Sequence, residues 1–139
     1  MPVSFHEQTK VTLRERNKLK AFIREIFRLE GQQIAMLDII FCTDDYLKSI
    51  NIQFLQHNYF TDIITFNLTT PPSKKIIAEI YISVERVREN AYTHATSFKN
   101  ELHRIIFHGA LHLCGYKDKR NSNKVLMTEK ENTYLDMYF

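Results

Sequence analysis

Hydrophobic positions change period along this chain, and the changes mark its elements. Over residues 11–30, Leu19, Phe22, Ile23, Ile26 and Phe27 recur at helical spacing, while Arg14, Arg16, Lys18, Lys20, Arg24 and Arg28 take the other faces. Thr12 with Glu15 three residues on reads as a capping box, and Gly31 as the stop. Residues 34–42 form an apolar run expected as a largely buried strand. Thr43-Asp44-Asp45 then caps a helix over roughly 45–55. Residues 62–68 and 76–82 read as strands on either side of the Pro71-Pro72-Ser73 turn. Ser83 caps a helix to about residue 95, and another runs from near Ser97 to Cys114, ending at Gly115. The last helix, from about 122 to 138, is expected to bury Val125, Leu126 and Leu135. Val3–His6 is a weaker strand.

The resulting order is β-α-β-α-β-β-α-α-α. It predicts an α+β fold, one domain over residues 1–139, with a mixed sheet of about four strands packed with five or so helices. The two strands joined by the Pro-Pro turn are expected to be central and antiparallel.

Composition narrows the class without assigning a function. At 139 residues and 44% hydrophobic content, the chain can build one core without disulfides. A net charge of +3 permits nucleic acid but does not demand it. Cys42 and Cys114 are far apart and form no CxxC pair, which fits two buried thiols in a reducing cytosol. There is no apolar signal-like N-terminus and no run long enough to span a membrane. The expectation is a cytoplasmic protein.

Chemistry concentrates in residues 104–119. His108 and His112 stand four apart on a helix, so both imidazoles leave the same face on successive turns and can meet one metal ion. Gly115 lets the chain turn back. In the returning segment Asp118 can coordinate a cation, whereas Lys117 and Lys119 cannot. Two histidines, one carboxylate and an open position make a catalytic metal site at the end of a core helix. This donor set suits zinc or iron(II). A histidine pair at this spacing is also common on ordinary helix surfaces. The residue after His108 is Gly109, not the Glu of an HExxH peptidase.

The stretch His-Gly-Ala-Leu-His-Leu-Cys-Gly-Tyr at 108–116 resembles the HGxLHLxGY signature of the YbeY family at every fixed position. Residues 58–66, NYFTDIITF, are similar to that family's Y-x-T-D/N-V/I-L-S/T-F strand, and residues 78–83, AEIYIS, to its G-D-I-x-I-S strand. The resemblance implies a zinc-dependent endoribonuclease specific for single-stranded RNA. It also implies roles in maturing the 3′ end of small-subunit (16S) ribosomal RNA and in ribosome quality control, with the ribosome or ribosomal proteins as partners. His108 and His112 fall on the family's first two metal-binding histidines. Asp118 stands where most relatives have a third. Leu55 aligns with an Arg thought to serve the reaction. An aspartate ligand would lower the site's positive charge, and a higher pKa is expected for the water it binds. A non-catalytic, RNA- or ribosome-binding assembly factor with a structural metal is the alternative.

Cleavage could use water or the RNA 2′-OH as nucleophile. Glu79 and Asp62 are candidate bases, each weighed against an ordinary surface or capping role. Thr61 could position water or phosphate, or simply cap a turn. Lys117, Lys119, Arg120 and Lys124 near the site, and the basic residues of the first helix, could neutralise phosphates. Tyr59, Phe60 and Tyr116 could stack on bases or pack in the core.

Overall fold

The computed structural model describes residues 2–56 and 61–139. They form β1 (Val3–Glu7), α1 (Arg16–Leu29), β2 (Gln33–Cys42), α2 (Asp44–Leu55) and β3 (Ile63–Asn67). β4 (Lys75–Ser83), α3 (Val84–Thr93), α4 (Phe98–Leu113) and α5 (Asn121–Tyr138) complete the chain. The sheet order is β1-β2-β4-β3. β1 and β4 both run parallel to β2, and β3 runs antiparallel to β4. This is the expected mixed α+β sheet in the expected element order.

The hairpin is antiparallel, but only one of its strands is central. β4 lies between β2 and β3, and β3 forms the edge. Burial explains the difference. Ile76, Ala78, Ile80 and Ile82 of β4 are buried on one face, while Tyr81 packs against a second cluster on the other. A strand covered on both sides belongs inside a sheet. β2 is buried only toward its C-terminal half, and Met36 beside its bulge is 52% exposed.

Local capping signals act as read for two helices, and Ser97 caps a third. Thr43, Ser83 and Ser97 accept hydrogen bonds from the amides of Tyr46, Arg86 and Asn100. The first helix departs from expectation. It starts at Arg16, and the cap position is Glu15, at φ 53° and without a side-chain cap bond, so Thr12 caps nothing. Val11 and Leu13 are the cause, since both are buried. Two residues apart, they can reach the same core from extended chain, whereas a helix would turn them to opposite sides.

The last helix also differs. Val125 and Leu126 are 59% and 46% exposed, and the buried stripe is Met127, Glu131, Tyr134, Leu135 and Tyr138. That stripe follows the helical repeat from Met127, which leaves residues 125 and 126 outside it.

α1 and α4 cover the sheet face bearing Leu37, Ile39, Phe41, Ile80 and Ile82. α2 covers part of the other, over Cys42 and Ile64. α4 carries the heart of the core, with Leu102, Ile106, Phe107, Ala110 and Leu111 almost wholly buried. It can lie this close because residue 109 is glycine. A Cβ there would stand 2.9 Å from Ile63 Cδ1 and 3.0 Å from Ile80 Cδ1. Among the described residues, no helix is long and apolar enough to cross a membrane.

Candidate metal centre

α4 presents His108 and His112 on successive turns, and the chain then reverses at Gly115. Gly115 has φ 104°. Its amide donates to the His112 carbonyl, and the Tyr116 amide donates to the Leu111 carbonyl. This paired pattern is a helix C-cap that needs a left-handed residue. It sends residues 116–118 back along the helix, past the two imidazoles.

Asp118 closes the group. His108 Nε2 and His112 Nε2 are 3.0 Å apart, and each lies 3.2 Å from Asp118 Oδ2. These are the three residues the sequence selects, and among the described residues they form the one His/Cys/Asp/Glu group close enough to hold a metal ion.

The outer ring nitrogens determine what the inner ones can do. His108 Nδ1 lies 2.5 Å from Glu131 Oε2, and His112 Nδ1 lies 3.0 Å from the Tyr116 carbonyl oxygen. An ionised carboxylate and a carbonyl only accept, so each Nδ1 carries the hydrogen and donates it. In the neutral rings both Nε2 atoms then present lone pairs toward each other and toward the carboxylate oxygen. Three acceptors converging with no donor between them suit a cation. Their separations are also close to the about 3.3 Å edge of a tetrahedral zinc site with the usual bond lengths.

Glu131 was not visible as a site residue in the sequence. It is 7% exposed on the α5 stripe, and Arg104 Nη1 donates to its other oxygen at 2.9 Å. A glutamate on an apolar stripe needs a buried partner, which is the signal that could have found it. Burial drives the pKa of His108 down, but the Glu131 hydrogen bond, with Asp118 and Asp62 nearby, outweighs it and leaves the imidazole above its ordinary value.

The other candidates separate clearly. Asp62 lies near enough to His108 for each to influence the other's ionisation, and Asn90 Nδ2 donates to its Oδ2 at 3.2 Å. Burial raises its pKa above the usual carboxylate value, with His108 opposing. Glu79 alternates with Ile80 and therefore faces away from α4. It accepts from Tyr81 Oη at 3.2 Å in a cleft with Tyr46 and Phe66, so it is no base for this site. Thr61 Oγ1 is directed at the Ile63 carbonyl across a turn at 3.4 Å.

Lys117, Lys119, Arg120 and Lys124 are exposed beside the site. On the first helix, Arg16, Lys18 and Arg28 pair with Glu7, Glu15 and Glu25, which marks a solvated face. Tyr116 is engaged within the protein, donating its hydroxyl to Glu30 at 2.7 Å. Tyr59 and Phe60 lie outside the described residues. Cys42 is buried, whereas Cys114 is only half-buried. Burial, and then the Glu30 carboxylate, push the Cys114 thiol up to about 12, so it stays protonated and outside the ligand group.

Comparison with known proteins identifies the family of the whole chain. The sequence model of the family described as endoribonuclease YbeY matches residues 4–138. The endoribonuclease YbeY of Cytophaga hutchinsonii is 42% identical over 133 residues, covering 96% of this chain and 92% of that protein. Its counterpart in Flavobacterium psychrophilum is 38% identical over 136 residues, covering 98% and 96%. A Thermotoga maritima protein of known solution structure superposes with a TM-score of 0.64 at 27% identity, over 97% of this chain and 89% of that one. With a family match over nearly its whole length and relatives of its own size, the chain belongs to the YbeY family.

Proposed function

We propose that this protein is a metal-dependent endoribonuclease in which His108, His112 and Asp118 hold one zinc ion. Its substrate is single-stranded RNA. Its place is the maturation of the 3′ end of 16S ribosomal RNA and ribosome quality control in the cytoplasm, on or beside the ribosome. The observation that carries the reading is the convergence of two imidazole lone pairs and a carboxylate whose outer partners fix the ring tautomers. Zinc bound there would supply a Lewis acid for the reacting phosphate or water.

The chain's own groups divide the remaining work. Asp62 sits close to His108 with its carboxyl raised by burial, which suits a group that takes a proton from the nucleophile and returns one. Lys117, Lys119, Arg120 and Lys124 supply positive charge to hold phosphates at the rim.

The test pairs metal content with cleavage. Wild type is expected to carry about one zinc per chain and to cut single-stranded RNA. Asp118→Ala and His112→Ala should lose both while keeping their circular dichroism spectra. A single 2′-deoxy nucleotide at the cut position stops cleavage if the 2′-OH is the nucleophile and leaves it intact if water is. One observation favours the non-catalytic assembly factor. Leu55, 40% exposed, offers no charge where the family's arginine would stand. Wild type that holds metal and RNA but never cuts would establish that second reading.

A further inference from the structure

Glu30 lies at the C-terminal cap of α1, far in sequence from the histidines, yet it ends a chain of contacts that begins at His112. Its side chain is 11% exposed. Tyr116 Oη donates to Glu30 Oε1 at 2.7 Å, Tyr134 Oη donates to Oε2, and Lys130 Nζ stands 3.4 Å from the same Oε2. Tyr116 therefore carries two connections. Its phenol is tied to Glu30, and its backbone carbonyl receives the Nδ1 hydrogen of His112.

We propose that Glu30 is a positioning residue for His112, acting through Tyr116 to fix the ring tautomer that turns the Nε2 lone pair toward Asp118. The proposal rests on reading His112 as a metal ligand and extends that site to a carboxylate on a different helix. Without the Glu30 anchor, the returning segment would keep the Gly115 turn and the packing of the Tyr116 ring against the core and Lys130, but lose its one charged hydrogen bond from the Tyr116 hydroxyl. His112 would then be free to carry its hydrogen on Nε2, where it blocks a cation. Partners that orient metal-binding histidines commonly matter by about 10–100-fold in affinity. A partner acting through one intermediate residue belongs at the lower end.

The substitution Glu30→Gln separates the connections. Lys130 can only donate, so the amide oxygen turns to the Lys130 and Tyr134 side and the amide nitrogen faces Tyr116. That turns a donor toward the Tyr116 hydroxyl, which must then accept where it had donated to a charge, so the link is weakened while the contacts to α5 stay. Tyr116→Phe removes the link outright by deleting one oxygen. Tyr134→Phe is the control, since Glu30 keeps Lys130 and its bond to Tyr116 there.

The experiment uses the full chain labelled with 15N-histidine. Proton–nitrogen spectra of the metal-free protein give the His112 tautomer, zinc titration against a chelating dye gives Kd, and melting gives Tm. Wild type is expected to show hydrogen on Nδ1. Tyr116→Phe should admit the Nε2–H form and weaken zinc binding about tenfold, and Glu30→Gln should shift both in the same direction by less. Tyr134→Phe should lower Tm with Kd within about twofold of wild type, as expected of a contact off this path. If Glu30→Gln does not fold, Tyr116→Phe carries the same readings. Folded variants that melt earlier but keep both the Nδ1–H tautomer and Kd would reduce Glu30 to a structural tie and overturn the proposal. A wild type that binds no zinc, while its variants release the tautomer, would sink the metal reading and leave the positioning role standing.

Discussion

His108 and His112 sit one turn apart on the same helix, and different kinds of partner hold them. A buried carboxylate from α5 grips His108, at 2.5 Å, and a neutral backbone carbonyl of the returning segment grips His112, at 3.0 Å. The carboxylate fixes the tautomer and also makes its imidazole more basic, enough to overcome burial. The carbonyl contributes orientation, and its position is held by the turn that carries it and by the Tyr116 side chain's anchor on Glu30. One imidazole is thus set by electrostatics within a helix pair, the other by backbone geometry.

The largest break in that contrast comes at Glu131. In Glu131→Gln the single amide oxygen can satisfy Arg104 or His108, but not both. With Arg104 the stronger donor, the amide nitrogen faces His108 Nδ1 and drives the hydrogen to Nε2. Zinc affinity is expected to fall about 10–100-fold, measured by competition with a chelating dye. Unchanged affinity would show that the carboxylate serves the α4–α5 packing alone.

The returning segment breaks differently. Gly115→Ala places a Cβ at φ 104° with open space around it, so the cost is backbone strain and not a clash. About 1–2 kcal/mol of stability should be lost, read as a lower urea midpoint. In the same histidine spectra, the His112 Nδ1–H signal should broaden or move while that of His108 stays in place. Equal movement of both would mean that the two anchors are mechanically one.

The difference in legibility has the same physical root. The histidine spacing, the Gly115 turn and the caps at Thr43, Ser83 and Ser97 are local, so a few adjacent residues specify each. Asp118 is legible because it lies only six residues beyond His112. Glu131 and Glu30 find their partners 23 and 86 positions away, and no spacing rule reaches that far. The late start of α1 is likewise a tertiary decision, because burying Val11 and Leu13 together outweighs the capping box at Thr12. Glu79 was a candidate because strand alternation shows which residues share a face but not which face α4 will cover.

The smallest expected effect tests the His112 side through pH. Burial alone would raise the Glu30 carboxyl, but the hydrogen bonds from Tyr134 and Tyr116, together with Lys130, prevail and hold it below its ordinary value. Folding therefore favours the charged form. Its stabilisation is complete above the unfolded pKa of about 4.3 and disappears as pH falls through the lower folded value. Wild type and Glu30→Gln should differ most in urea midpoint near neutral pH, and the gap should narrow steadily in acid. A Glu30→Gln gap that stays constant down to about pH 3 would mean that the amide's lost acceptor, not the carboxylate's charge, accounts for the difference.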